Sequence, residues 1–180
     1  MENPGEHFVG QYLKYIKRCD FVEYNLQTIF TQGEIDVVGI NSITKQIYVC
    51  EVATHLETGL QYTKNNQPDN VKRFISKFEK NIEYVKINFK DYTCVYMLWT
   101  PIIKVPKNES VRHNQLKDVQ EIEIYFKEKF KINLQIIFNE TYLKCIEELR
   151  DVAVKTTQEL KSPIMRFLQI EEKLKKSIKQ

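Results

Sequence analysis

Apolar residues recur along the chain at two spacings, and each spacing predicts a different kind of element. A period of about 3.6 residues over positions 6–18 gives one core-facing stripe, which predicts an opening helix. The same period predicts four later helices: residues 70–85, 116–130, 141–154 and a last one after 163. Runs of β-branched and aromatic residues predict strands at 21–30, 33–40, 47–53, 92–99 and 132–138. Helices and strands mixed in this way predict an α/β protein.

Two of the predicted strands each carry one acid among apolar residues. They lie on either side of a polar turn at residues 41–46, with Asp36 in the first strand and Glu51 in the second. One face of a strand recurs every second residue, and facing positions in a hairpin are about 5 Å apart. Asp36 and Glu51 can therefore point to the same side at one end of the hairpin.

Carboxylates inside such strands need a physical explanation. A buried carboxylate costs several kcal/mol unless it is paired, hydrogen-bonded or bound to a cation. A hard cation such as Mg²⁺, which takes one or two carboxylates and keeps several waters, is one explanation. Acids at strand ends that face water are the other.

Composition and charge narrow the class of protein. The chain has 180 residues, 42% of them apolar and 28% charged, which predicts one globular domain with an extension. The net charge of +3 is too small to indicate nucleic-acid binding by itself. The basic part is the tail, where Lys173, Lys175, Lys176 and Lys179 either contact phosphates or form a solvated helix end.

Other function classes lack a signal in the sequence. The four cysteines are widely separated and form no Cys-x-x-Cys pair, so neither a zinc ribbon nor a redox motif is indicated. No stretch approaches the ~20 apolar residues of a membrane span, and the first residues lack the features of a signal peptide. We therefore expect a cytoplasmic protein without a membrane partner.

The acid-bearing hairpin also resembles a known family. Gly33-Glu34-Ile35-Asp36, followed by a strand that ends in Glu51-Val52, is similar to the core of the PD-(D/E)XK nuclease superfamily, which includes restriction endonucleases and Holliday junction resolvases. The order of elements over residues 4–104 resembles that core as well. The resemblance implies a restriction endonuclease-like central mixed β-sheet flanked by helices. The nuclease core would be residues 1–106, and residues 107–180 would be a mostly helical extension packed on it.

The resemblance also implies an activity and a site. The activity is Mg²⁺-dependent (or Mn²⁺-dependent) hydrolysis of DNA phosphodiester bonds. The metal would bind Asp36, Glu51 and the backbone carbonyl of Val52, and Glu6 of the opening helix would approach it directly or through water. DNA would contact residues around this site: Gln32, Gly33, Thr54, His55, Lys72 and Arg73. A homodimer is a further expectation, because family members often pair to cut two strands.

The sequence departs from the family pattern at one position. The family usually has lysine two residues after the glutamate, where it aligns the attacking water, and this chain has Ala53. The lysine has moved to another element, or the protein only binds DNA, or the chain carries a deliberate lysine-to-alanine change. We favour the deliberate change, and Lys72 is our candidate for a lysine that has moved.

Two other functions stay open. A non-catalytic DNA-binding or assembly subunit could keep the fold without the lysine, although such a subunit has no need to keep both acids. An RNA-directed nuclease is the other, because hydrolysis of the backbone requires no base-specific motif.

Overall fold

The computed structural model describes residues 3–29, 32–105 and 113–178. Within these ranges the helices are α1 (Pro4–Tyr15), α2 (Asn70–Asn88), α3 (Gln115–Phe130), α4 (Asn139–Lys155) and α5 (Pro163–Ile178). The strands are β1 (Phe21–Thr28), β2 (Gly33–Asn41), β3 (Gln46–Val52), β4 (Thr63–Lys64), β5 (Gln67–Pro68), β6 (Thr93–Trp99) and β7 (Gln135–Ile137). The predicted helices and main strands are all present, with ends shifted by a few residues.

Five strands form one mixed sheet in the order β1-β2-β3-β6-β7. The first three strands form two antiparallel pairs, β1 with β2 and β2 with β3, because short connections join them. Strand β6 is parallel to β3, and β7 is parallel to β6, because each is reached by a crossover that contains a helix. The α/β class with a central mixed sheet flanked by helices is thereby confirmed.

Both faces of the sheet are covered, so the middle strands are apolar on both sides. On one face, Tyr48 and Cys50 of β3 pack under α1, α4 and α5. On the other face, Ile47 and Val49 of the same strand pack under α2 and α3. This alternation along β3 is the period of two that a strand requires.

The C-terminal part of the chain contributes to every layer. Helix α3 packs beside α2, β7 adds an edge strand, and α4 and α5 pack on the face covered by α1. The predicted boundary between residues 106 and 107 lies outside the described residues, and the division into two parts stays a prediction. No helix in the described ranges is long and apolar enough to cross a membrane.

The polar stretch between β3 and α2, for which no strand was predicted, contains regular structure. Strands β4 and β5 form a short antiparallel hairpin within it. Asn65 and Asn66 link the two strands with φ of 52° and 60°. Asparagine tolerates this left-handed conformation, which a tight two-residue hairpin turn requires.

Candidate functional site

Asp36 and Glu51 lie next to each other on β2 and β3. Val37 pairs with Cys50 in this antiparallel ladder, so Asp36 and Glu51 continue the register by one step. Asp36 is 7% exposed and Glu51 is fully buried. Both carboxylates contact the same ammonium group, so both lie on the side of the sheet that α2 covers.

That ammonium belongs to Lys77, in the middle of α2. Its Nζ lies 3.1 Å from Asp36 Oδ1 and donates a second, shorter hydrogen bond to Glu51 Oε2. Asn81 lies one turn further along α2, and its Nδ2 donates to Glu51 Oε1 over 2.7 Å. The helix therefore holds the two strand acids through two side chains at i and i+4.

The backbone of β3 holds the other oxygen of Asp36. The amide of Val52 donates to Asp36 Oδ2 over 2.7 Å. The carboxylate of Asp36 is thus fixed beside the residue whose carbonyl the family resemblance assigns to the metal. The role of that carbonyl as a ligand stays a prediction.

The site has two acids and one lysine, so negative charge is in excess when both acids are ionised. Burial raises the pKa of Glu51, and the nearby charge of Asp36 raises it further, although Lys77 and Asn81 act in the opposite direction. Burial alone would lower the pKa of Lys77, but Glu51 and Asp36 outweigh it and the pKa is raised. A charged Lys77 therefore compensates only one of two carboxylates, and an additional cation would favour the ionised form of Glu51.

The donor set suits a hard divalent ion. The described part of the chain has no group of three or more His, Cys, Asp or Glu side chains arranged to hold a metal. The site therefore offers two carboxylates, and Mg²⁺ is bound by one or two carboxylates together with waters and substrate phosphates. Asp36 and Glu51 would hold such an ion.

The lysine at the carboxylates is Lys77 and not Lys72. Lys72 is exposed and lines a cavity of about 620 Å³ together with Asp118 and Glu121 of α3. The two lysines are five positions apart in the sequence, which places them about 140° apart around a helix. The structure therefore places Lys77, and not our candidate Lys72, within reach of the two carboxylates, and which lysine acts in a reaction stays a prediction. Asn81, a polar residue on the apolar side of the predicted helix one turn after Lys77, is the sequence signal that could have indicated which lysine faces the strands.

Ala53 lies at the position that the family gives to lysine. Its side chain is 1% exposed and belongs to the apolar cluster under α2 and α3. Its amide donates to the carbonyl of Trp99 over 2.8 Å and so continues the contact between β3 and β6. The methyl group is part of the core at this position.

Two of the predicted DNA contacts meet around Tyr62. The Arg73 guanidinium lies 4.3 Å from the centre of the Tyr62 ring, and the exposed His55 ring packs edge-on against it at 5.0 Å. Burial raises the pKa of Tyr62, and the positive charges of Arg73 and Lys77 act in the opposite direction. Arg73 also precedes Lys77 by one helical turn. His55 and Arg73 therefore border the carboxylate site.

The other predicted contacts divide into two groups. Gln32 lies in the turn before β2 and Gly33 begins that strand, and here Lys80 Nζ of α2 lies 3.3 Å from the carbonyl of Gln32. This turn therefore lies along the same helix as Lys77. Thr54 faces α1 instead: its hydroxyl donates to Asn3 Oδ1 over 3.2 Å, and its methyl group leaves no room for a side chain at Gly5.

Glu6 lies at the edge of the site. It is 9% exposed, and it accepts a hydrogen bond from Asn3 Nδ2 over 2.7 Å. The amide of Asn25, oriented to donate, reaches both Glu6 and Glu34. Burial raises the pKa of Glu6, and the charge of Asp36 contributes in the same direction. Glu6 is thus within electrostatic range of Asp36, as an outer residue would be.

The basic tail lies on the other face of the sheet. Helix α5 packs with α1 and α4, away from α2. Lys175 pairs with Glu171 and Glu172 of its own helix at 2.7 and 2.9 Å, while Lys173 and Lys176 are exposed near the end of α4. Lys179 lies outside the described residues. The described lysines of this tail therefore do not extend the α2 surface.

In comparisons of the chain with protein-family models, with curated proteins and with solved structures, no match was found.

Proposed function

We propose that the chain is a Mg²⁺-dependent DNA endonuclease of the PD-(D/E)XK type, with Asp36, Glu51 and Lys77 as its central residues. The observation that carries the proposal is the convergence of two buried strand carboxylates on one helix lysine. The mixed sheet with helices on both faces is compatible with a restriction endonuclease-like core.

The proposed chemistry gives each residue a role. Asp36 and Glu51 would hold the cation, which would supply Lewis-acid chemistry to the phosphodiester and to the attacking water. Lys77 takes the part of the family lysine: its ammonium orients the attacking water and stabilises charge on the phosphate. Asn81 and the Val52 amide keep the two carboxylates in place.

Lys77 also offers an explanation for Ala53. An ammonium that reaches both carboxylates from α2 makes a lysine at position 53 unnecessary, and Ala53 is packed as a core residue. The relocated lysine thus becomes the preferred explanation in place of a deliberate inactivating change. The chain as it stands should then be active.

The surface beside the carboxylates supports a nucleic-acid substrate. Arg73, Lys77 and Lys80 follow one side of α2, because positions three and four apart share a helix face. Arg73 stacks on Tyr62 and has no acidic partner within the described ranges, so its guanidinium is available for a phosphate. The homodimer expected from the resemblance stays a prediction.

The test is an incubation of the wild-type chain with Mg²⁺ and end-labelled duplex, single-stranded and branched DNA, with RNA in parallel. Wild type should cut DNA, and EDTA should stop the reaction. Glu51→Gln and Lys77→Gln should be nearly inactive. Lys144→Gln is the matched control, since it removes the same charge from α4 on the other face of the sheet, and it should cut at close to the wild-type rate.

The outcomes separate the candidate functions. Cleavage of RNA alone would replace DNA by RNA as the substrate. DNA binding without cleavage under any of these conditions would favour a non-catalytic subunit. If Lys144→Gln and Lys77→Gln lose activity equally, the role given to Lys77 is incorrect.

A further inference from the structure

The segment just before α2, residues 61–69, is an excursion of the chain that is longer than the gap it spans. Asn70 Nδ2 donates to the carbonyl of Leu60 over 2.7 Å, so the two ends of the segment touch. Nine residues, 61–69, nevertheless leave from Leu60 and return to Asn70. Closing so short a gap takes only a few residues. The excursion is therefore a separate feature of the surface.

This excursion is a built hairpin. Thr63 pairs with Pro68, and Lys64 pairs with Gln67. The amide of Asp69 donates to the carbonyl of Tyr62 over 2.8 Å, which closes the base. The left-handed turn residues favour the twist of a two-residue hairpin. The result is a defined ribbon that projects from the protein.

The ribbon presents polar groups to solvent. Every residue from 63 to 68 is exposed, and none from 61 to 68 is acidic. In the described part of the chain, these side chains form no hydrogen bonds or ion pairs with the protein: Thr63, Lys64, Asn65, Asn66 and Gln67. Amide, ammonium and hydroxyl groups of these kinds are the ones that bind base edges in the major groove.

The base of the hairpin adjoins the candidate site. Tyr62 immediately precedes β4, and its ring packs against Arg73 and His55. Arg73 lies one helical turn before Lys77. The turn residues lie about 10 Å from Tyr62, at roughly 3.3 Å per residue of strand. A duplex bound at the carboxylates would therefore pass the hairpin within a few base pairs.

We propose that the β4–β5 hairpin enters the major groove of duplex DNA and reads base edges beside the cleaved bond. Two strands about 5 Å apart fit a groove about 12 Å wide, whereas the deep, narrow major groove of A-form RNA excludes them. The inference rests on the proposed nuclease function and adds the substrate class, which is B-form duplex DNA with a sequence preference.

The test is a binding selection that requires no cleavage. The full chain in EDTA is mixed with a duplex DNA library that has random central positions, and the bound molecules are sequenced. Wild type should enrich a short motif by about tenfold or more, the size of one good side-chain contact to a base. The double variant Lys64→Ala with Gln67→Ala should lose or change that motif. Lys144→Ala, which removes the same charge from α4, should retain it.

A second variant replaces residues 63–68 by Asn-Gly and leaves Tyr62 and Asp69 to close a two-residue hairpin. Thermal unfolding checks that each variant folds. The inference is overturned if wild type enriches no motif, if the double variant enriches the same one, or if duplex RNA competes as well as duplex DNA. Enrichment without Mg²⁺-dependent cleavage in the separate assay would support the hairpin and refute the nuclease.

Discussion

Helix α2 carries a buried polar cluster at each of two places along its length, and the two are built on different principles. At its start, Asn70 donates to Asp118 of α3 and to the carbonyl of Leu60, whose amide donates to Gln115 of α3, and these bonds tie down the segment before the hairpin. In its middle, Lys77 joins Asp36 and Glu51. We refer to the first as the amide cluster and to the second as the carboxylate site.

The amide cluster is satisfied by its own hydrogen bonds. Gln115 Oε1 accepts from the amides of Leu60 and Lys104 at 3.1 and 2.8 Å, and its Nε2 donates to the carbonyl of Thr58 over 2.8 Å. Asn70 is likewise bonded through both atoms of its amide. The one acid of the cluster, Asp118, accepts from Asn70 Nδ2 over 2.7 Å and lies 2.6 Å from His113 Nε2, so it is paired as well. Buried polar groups that are paired in this way stabilise a fold.

The carboxylate site keeps an excess of negative charge. Its two acids share one lysine, and the pKa of Glu51 is raised because the site is buried and Asp36 is close. A cluster whose only purpose was stability would not need the second acid. Perturbed acids of this kind are typical of functional sites. Under the proposed function, the amide cluster stabilises the fold and the carboxylate site carries the chemistry.

The largest effect should come from the carboxylates themselves. Asp36→Asn and Glu51→Gln should each lower the rate of DNA cleavage by about 10³-fold or more, because each removes a charged ligand that the cation requires. Initial rates at saturating Mg²⁺ measure this loss. If both variants cut DNA at the wild-type rate, the carboxylate site is no more involved in cleavage than the amide cluster.

Lys77→Gln should lower the cleavage rate by about 10²–10³-fold, since it removes a charge that acts on the transition state. Its effect on Mn²⁺ affinity should be small or favourable, because Lys77 competes with a metal for the same oxygens. A variant that loses metal binding as well as cleavage would instead place Lys77 in a purely structural role.

A substitution in the amide cluster should change the stability of the fold and leave metal binding unchanged. Gln115→Ala leaves two amides and one carbonyl without their partner, and we expect the free energy of unfolding to fall by about 2–3 kcal/mol. Urea denaturation measures the change. Folded Gln115→Ala protein should bind Mn²⁺ as wild type does; a large loss of affinity would break the division between the clusters.

The smallest effect is a pH dependence in the metal-free protein. The pKa of Glu51 is higher in the folded chain than its ordinary value of 4.5, so the folded state holds a proton that the unfolded state releases. Stability should therefore decrease as pH rises above that value. The raised pKa of Lys77 acts in the same direction only as pH rises above its ordinary value of 10.5, outside this window.

Glu51→Gln should remove this loss of stability. Near pH 8 its free energy of unfolding should exceed that of wild type by about 1–2 kcal/mol, so it should melt at a higher temperature. Melting curves of both proteins from pH 5 to 8 in EDTA measure it. Equal pH slopes for the two proteins would mean that Glu51 is not the group responsible.

Much of this contrast could be predicted from the sequence, but not all of it. Acids within two β-branched runs predicted the carboxylates, because burial makes such acids costly. Helical period does not distinguish Lys77 from the other lysines of α2, since it does not by itself say which polar positions face a neighbouring strand. The contacts of Asn70 with residues 60 and 62 depend on tertiary packing, which a local pattern does not record.

The hairpin escaped prediction for a different reason. Its strands have two residues each and carry no apolar alternation, so no period was available to detect. The pair Asn65-Asn66 was the one local signal for a tight turn. Short polar hairpins are held by their turn and base, which the hydrophobic pattern does not record.

The most direct test of the account is a Mn²⁺ titration of the metal-free chain, with free ion followed by electron paramagnetic resonance. Wild type and Asp118→Asn, which alters an acid of the amide cluster, should bind the ion equally. Asp36→Asn and Glu51→Gln should not bind it at the same concentrations. Equal binding by all four proteins, or binding by none of them, would contradict the central claim that Asp36 and Glu51 form a metal site.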